Sequence, residues 1–261
     1  FRKYIQFMLQ MQSKSVSNEI LDFFEHSLFA PSKSAFTQQR YKLLPEGWDF
    51  LFHSFVNQCR TLSDNLYNGY RLLACDGSDV NISHNLADER TFIHEDEKGY
   101  NAIHINALYD ITNKTYCDFL VQGKKKLQER SALNTMIDRY PDPVRAILMA
   151  DRDYESFNTF AHLIRKRMYF VIRMKDINSN GIFSAYDLPD SEFDTHIRTT
   201  LTRRHTKETL GNPDTYTILQ PSTDFDFFDE SCMYYDIEFR IVRIRLDNGT
   251  YICIALSLIH I

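Results

Sequence analysis

The chain has 261 residues, 43% of them hydrophobic and 25% charged, which is the balance of an ordinary globular protein long enough to bury a full core. No apolar run approaches the roughly 20 residues needed to span a bilayer, and no signal-peptide pattern opens the chain, so a cytoplasmic protein with no membrane partner is expected. A net charge of −5 excludes a uniformly basic nucleic-acid-binding surface but leaves room for a local basic patch.

The chain opens on Phe1 rather than methionine, so a natural N-terminus upstream is expected. Residues 1–68 read as a helical region. "EILDFFEHSLF" and "WDFLFHSFVNQC" carry apolar residues at helical spacing, with Trp48, Leu51, Phe55 and Cys59 on one stripe. Between them, Pro31, Ser32 and Ser34 are helix-start signals, followed by a basic stretch with Arg40 and Lys42. This region is either a small helical packing unit or a DNA-contacting subdomain.

The pattern changes at Tyr70. "YRLLACDGS" is a nearly continuous apolar run, as expected of a strand buried on both faces. "AIHINALYDI" alternates, with Ile103, Ile105, Ala107 and Tyr109 on one side. The "TNK" turn then leads into "TYCDFLVQG", which predicts a hairpin. A helix through Leu133, Met136, Ile137 and Tyr140 stops at Pro141 and Pro143. The strand "VRAILMAD", a helix carrying Phe157, Phe160, Ile164 and Met168, and the strand "YFVIRMK" complete a β-β-β-α-β-α-β order. That order predicts a mixed sheet flanked by helices, shared with the ribonuclease H-like fold. After Lys175 the chain becomes β-rich, and Asp247-Asn248-Gly249 between two strand patterns is a hairpin signal.

Two of the predicted central strands end on an acid, Asp76 and Asp151. Each alone is an unremarkable surface turn. Together, on neighbouring strands, they would converge and repel one another unless a cation lay between them. Hard carboxylate oxygens suit magnesium, which keeps several waters and leaves room for a phosphate oxygen. Two such ions roughly 4 Å apart can activate the attacking oxygen and stabilise the leaving one in phosphodiester cleavage.

"LLACDGSDV", "GYNAIHINALYDITNKTYCDFLVQ", "QERSAL" and "ILMADRDYES" together resemble the DDE transposases of bacterial insertion sequences, and most of all the group of insertion sequence four. "SKSAFTQQRYKL" is similar to that group's helical leader. The resemblance implies a ribonuclease H-like catalytic domain with a β-rich insertion, acting in the bacterial cytoplasm. It implies cleavage of double-stranded DNA at transposon ends and strand transfer into target DNA, on two Mg2+ ions with Mn2+ as a substitute. It also implies a homodimer on paired ends. Carried onto this chain, the first two catalytic, metal-binding acids are Asp76 and Asp151. Arg152 and Tyr154 match the supporting residues of the D-R-x-Y signature. Where that signature often has glycine the chain has Asp153, which is read as a turn residue. The expected division is a helical region over 1–68, a catalytic core over 69–175 and an incomplete β-rich insertion over 176–255.

The family's third acid lies beyond the insertion in a Y-x-x-R-x-x-x-E-x-x-x-x-x-x-K pattern that this sequence lacks. Glu208, Glu230 and Glu238 fall inside the insertion and are not credible substitutes, so no third acid is expected. The last six residues, "LSLIHI" over 256–261, match what a common sequencing adapter encodes, so the natural sequence is expected to leave off at Ala255. Barrier reductions of ~8–23 kcal/mol are typical of enzymes, and two carboxylates hold a second metal poorly. Little or no strand transfer by this polypeptide is therefore expected, although the resemblance implies that the intact protein is an enzyme. The alternatives are a non-catalytic DNA-binding remnant of a transposase and a stand-alone ribonuclease H-like nuclease.

Lys124-Lys125-Lys126 and Arg203-Arg204 are further candidates for DNA phosphate contacts, against the plain reading of solvated turns. Cys59, Cys75, Cys117, Cys232 and Cys253 are scattered without a CxxC pair, which reads as mostly buried thiols. His84, His94 and His104, with the acidic "HEDEK" run, lack zinc-site spacing and are read as surface loop or strand positions.

Overall fold

The structure, a computed structural model, describes residues 2–62, 65–94 and 98–257, and also leaves out the side chains of Thr61, Leu62 and Lys126. The acids of the "HEDEK" run and residues 258–261 lie outside the described residues. Residues 1–58 and 59–261 form two compact units.

The first unit is helical, as expected. It contains α1 (Arg2–Gln10), α2 (Val16–Phe23), α3 (Lys33–Arg40) and most of α4 (Pro45–Leu62). Ser15 caps α2 and Ser32 caps α3, each side-chain oxygen accepting a backbone N–H of the first turn. Phe7, Ile20 and Phe36 form a small core, with the Phe7 ring edge-on to Phe36 at 4.9 Å. On α4 the buried position is Val56, whereas Phe55 of the expected stripe faces solvent. Trp48, Leu51 and Cys59 of that stripe are half-buried.

In the second unit, β1 (Arg71–Ile82), the short β2 (Phe92–Ile93), β3 (Tyr100–Asp110) and β4 (Thr115–Gly123) are followed by α5 (Glu129–Arg139), β5 (Ala146–Ala150), α6 (Phe157–Lys166) and β6 (Tyr169–Met174). β7 (Phe193–Thr202), α7 (Lys207–Gly211), β8 (Tyr216–Ile218), β9 (Tyr234–Arg245) and β10 (Tyr251–Leu256) complete it. The described strands form one sheet in the order β2-β3-β1-β5-β6-β10-β9-β7-β8, with β4 on the outer edge of β3. β1 runs antiparallel to β3 and parallel to β5, and β5 runs parallel to β6. This is a ribonuclease H-like mixed sheet with flanking helices, preceded by a helical region and carrying a β-rich insertion. The insertion strands do not fold apart: β10 pairs antiparallel with β6, so they extend the same sheet.

The core follows from the apolar runs. Leu73 and Cys75 of β1, Ala146 to Leu148 of β5, and Phe170, Ile172 and Met174 of β6 are buried. Leu133, Met136 and Ile137 of α5, with Phe160 and Leu163 of α6, are buried in the same cluster. Gly249 closes the predicted β9–β10 hairpin at φ +82°, where glycine carries no Cβ penalty. Cys75, Cys117 and Cys253 are buried thiols, Cys59 is half-buried and Cys232 is exposed.

β3 alternates as expected, but its more buried face is the one that carries the polar residues. Its buried face carries Ala102, His104, Asn106, Leu108 and Asp110, while Ile103, Ile105, Ala107 and Tyr109 are only half-buried. The polar side chains point inward because each finds a partner there. Asp110 accepts from Arg71, Thr112 and Asn113, and His104 meets Asp79. Buried His104 thus corrects the reading of that residue as a surface position.

Candidate functional site at the ends of β1 and β5

The parallel ladder between β1 and β5 stops at Ala74 opposite Met149, whereas the ladder between β1 and β3 continues to Ile82. Beyond Ala74, therefore, β1 is paired on one edge only. The same register carried two residues further sets Asp76 opposite Asp151, the first residue after β5. The carboxyl ends of parallel strands are where open α/β sheets form ligand crevices.

Both carboxylates are exposed, and each folds back on its own backbone. Asp76 Oδ1 accepts the Gly77 N–H at 2.8 Å, and Asp151 Oδ1 accepts the Asp153 N–H at 2.9 Å. No cation pairs with either among the described residues. Asp151 caps the short 3-10 turn Arg152–Tyr154, with Asp153 as the expected turn residue. The Asp153 carbonyl is fixed by Arg130 Nε at 2.8 Å. Arg152 is exposed, whereas Tyr154 is buried with its hydroxyl beside the Cys75 thiol.

The charges crowd around Cys75. Burial pushes its thiol up to about 12; Asp76, Glu129 and Asp151 add to the rise, and Tyr154 partly offsets it. Burial likewise pushes the Tyr154 hydroxyl up, reinforced by Cys75, Glu129 and Asp76. Asp76, Glu129 and Asp151 are therefore all within electrostatic reach of Cys75.

Glu129 begins α5, where a negative charge suits the helix N-terminus. Its Oε1 lies 3.1 Å from Nε2 of His104, which makes no hydrogen bond of proper geometry. Nδ1 of His104 lies 2.7 Å from Asp79 Oδ1, and Asp79 in turn pairs with Lys124. Gly77 makes this arrangement possible, since a Cβ there would fall 2.3 Å from His104 Nε2. Gly77→Ala is expected to displace His104 at a cost of about 1–3 kcal/mol. Urea unfolding checks this, and an unchanged midpoint would refute the close packing.

Other charged candidates have separate surroundings. Lys124 is engaged by Asp79, Lys125 is exposed, and the Lys126 side chain is not described. Arg203 donates to the Thr223 carbonyl at 2.7 Å and lies over the Phe228 ring, which makes it part of the packing of the insertion. Arg204 lies over Tyr234, and Arg40 and Lys42 are exposed in the helical unit. Glu208 accepts from the Tyr216 hydroxyl at 2.9 Å, Glu238 pairs with Arg198 at 2.6 Å and Glu230 is exposed. Glu155, unremarked in the sequence beside the D-R-x-Y motif, is buried and accepts the backbone N–H groups of Lys175 and Ile182. It anchors the start of the insertion. A polar cavity of about 460 Å³, lined by Gln128, Arg130, Ser131, Ser156 and Asp226 among others, opens next to α5.

The model of the "Transposase DDE domain" family matches residues 67–225. The chain belongs to the DDE transposase family. This transposase domain is similar to the cryo-EM structure of the piggyBac transposase synaptic complex with hairpin DNA, at 10% identity and a TM-score of 0.48. That match covers 100% of this chain and 51% of the other, so the chain spans about half the length of the transposase it matches. No curated protein matches it. No helix among the described residues is long and apolar enough to cross a membrane.

DDE transposase domains generally use divalent metal ions. Among the described residues no three His, Cys, Asp or Glu side chains are gathered closely enough to hold an ion as they lie. The donor chemistry nevertheless fits a hard divalent cation. Asp76 and Asp151 supply oxygen donors without a competing cation, and magnesium is usually bound by one or two carboxylates together with water and phosphate oxygens.

Proposed function

We propose that this chain carries the catalytic core of an insertion-sequence transposase of the insertion sequence four-like group, acting on double-stranded DNA in the bacterial cytoplasm. The observation that carries the reading is the parallel register that sets Asp76 opposite Asp151 where β1 loses its partner on one side. Asp76 and Asp151 would hold the cation, Mg2+ or Mn2+, with two ions in the intact protein. When bound, that cation would neutralise phosphate charge and favour ionisation of the attacking oxygen.

The chain's own residues position and enclose. The 3-10 turn that Asp151 caps is braced by Arg130, which keeps that carboxylate at the strand end. Tyr154 roots the same turn in the hydrophobic core. The open edge of β1 leaves room for a DNA backbone to approach. Lys125, Arg204, Arg40 and Lys42 are the exposed cations available for phosphate contacts. The proposed organisation is a helical DNA-contacting region over 1–68, a catalytic core over 69–175 and the insertion over 176–255, working as a homodimer on two transposon ends. Joining of a freed 3′ hydroxyl to target DNA is expected to be weak in this chain, because its sequence contains no Y-x-x-R-x-x-x-E pattern.

Nicking of supercoiled plasmid tests the proposal. It is expected to require Mn2+ or Mg2+ and to fall at least about tenfold in both Asp76→Asn and Asp151→Asn, a barrier change of about 1.4 kcal/mol or more. Nicking that survives both substitutions, or none by the unsubstituted chain, overturns the reading.

A further inference from the structure

We propose that α3 is the element with which this chain reads DNA sequence, entering a major groove with Ser34, Thr37 and Gln38 toward the base edges. The inference rests on the reading of the chain as one that acts on double-stranded DNA. It adds the helix, the groove and the residues that set site preference.

The first observation is how α3 is held. Phe36 is its buried residue, packed within the helical unit against Phe7 and Tyr4 with ring centroids 4.9 and 5.0 Å away. The Tyr4 hydroxyl donates to the Phe36 carbonyl at 3.2 Å, and Ser32 caps the first turn. The other seven residues of the helix are exposed. Eight residues are too few for a helix to stand alone in water, so this anchor and cap fix the backbone. Nearly the whole surface of the helix is left open.

The second is what that surface carries. At about 100° per residue, Ser34 and Gln38 fall on the stripe opposite Phe36, with Thr37 beside them. A glutamine amide can pair with both edge groups of adenine, and a serine hydroxyl can donate or accept. The Thr37 hydroxyl donates to the Lys33 carbonyl of its own helix at 2.9 Å, which leaves its methyl group for the thymine methyl. Lys33 and Arg40 lie together on one shoulder of the helix, and Lys42 follows in the turn after it. An α-helix with its side chains is about as wide as the major groove, roughly 12 Å, so cations on its shoulder and at its end meet the flanking phosphates.

The third is charge. The chain carries a net charge of −5, yet no acidic residue lies between Glu25 and Glu46, a stretch that holds Lys33, Arg40 and Lys42. Among the described residues none of these three cations is paired with a carboxylate. The surface therefore complements a polyanion. A second copy of it would meet cation with cation, which argues against self-association through α3.

Selection by the full chain from a pool of duplexes with a randomised core tests the inference, followed by fluorescence anisotropy on the selected duplex and on an unrelated one. Gln38→Ala is expected to relax the preference at the position it reads and to weaken binding to the selected duplex about tenfold. Affinity for the unrelated duplex should not change. Arg40→Ala combined with Lys42→Ala should weaken binding to both duplexes alike and lower the salt slope by about 0.9 per cation removed. Circular dichroism melts show whether each variant is folded. If no sequence is selected, or if folded Ser34→Ala/Gln38→Ala selects the same sequence as the unsubstituted chain, α3 is not the reading element. If that variant instead changes the oligomeric state by light scattering, α3 is a contact between copies and the inference falls. Metal-dependent plasmid nicking is a separate readout. Nicking without a selected sequence overturns this inference alone, whereas a chain that neither nicks nor binds duplex overturns both readings.

Discussion

Asp110→Ala is expected to lower the unfolding free energy by about 3–5 kcal/mol, the range for breaking one partner out of a buried ion pair. Asp110 is fully buried at the end of β3, and its Oδ2 lies 2.5 Å from Arg71 Nη1 at the start of β1. Thr112 and the backbone and side chain of Asn113 also donate to it. Truncation leaves the buried Arg71 guanidinium without this carboxylate and unties the β3–β4 turn at once. Replacing Arg71 and Asp110 together by apolar residues of similar size should cost much less than Asp110→Ala alone. A double-mutant cycle by urea denaturation measures the difference. The pair also predicts a pH dependence. Burial works to raise the Asp110 pKa, but the hydrogen bonds from Asn113, Thr112 and Arg71 outweigh it and hold the carboxyl below its usual range. A folded value below the unfolded one, about 3.9, gives a contribution complete above roughly pH 4 and lost as pH falls through the folded value. Below roughly pH 4 the unsubstituted chain should therefore lose stability more steeply than Asp110→Asn.

Phe160→Ala should cost a similar amount, about 3–5 kcal/mol. Phe160 of α6 has no exposed surface. It stacks on Phe170 of β6 with ring centroids 5.2 Å apart, and tilts against Phe239 of β9 at the same distance. One ring thus bridges a strand of the core and a strand of the insertion. Its loss should lower the thermal midpoint of the whole second unit in one transition. Two separated transitions would show that the insertion has a core of its own.

The strands were legible where the apolar signal was unbroken. β1, β5 and β6 read as buried runs, and the β3–β4 and β9–β10 hairpins followed from their turn residues. The facing of β3 was not legible, because alternation identifies two faces and hydrophobicity chooses between them. Here the choice was set by Arg71 and Asp79 on β1, which give Asp110 and His104 buried partners. Pairing of β10 with β6 was also out of reach, since it joins residues about 80 positions apart and leaves no local trace. The aspartates were readable as acids ending apolar runs. The place of Glu129 was not, because only the packing of α5 brings it to His104 and over Gly77. Its one sequence trace is Gly77, a glycine within a strand, which signals close approach by another group.

The position of β10 has a consequence for how the molecule forms. It is the last of the described strands in sequence, yet it lies inside the sheet and links β6 to β9. Until it is in place, β6 and β9 each present an unsatisfied ladder, the kind of edge that recruits other chains. During synthesis from the N-terminus, the β5–β6 half can assemble early, while the link between β6 and β9 waits for β10. The slowest and most aggregation-exposed step should be this long-range closure rather than formation of the catalytic strands.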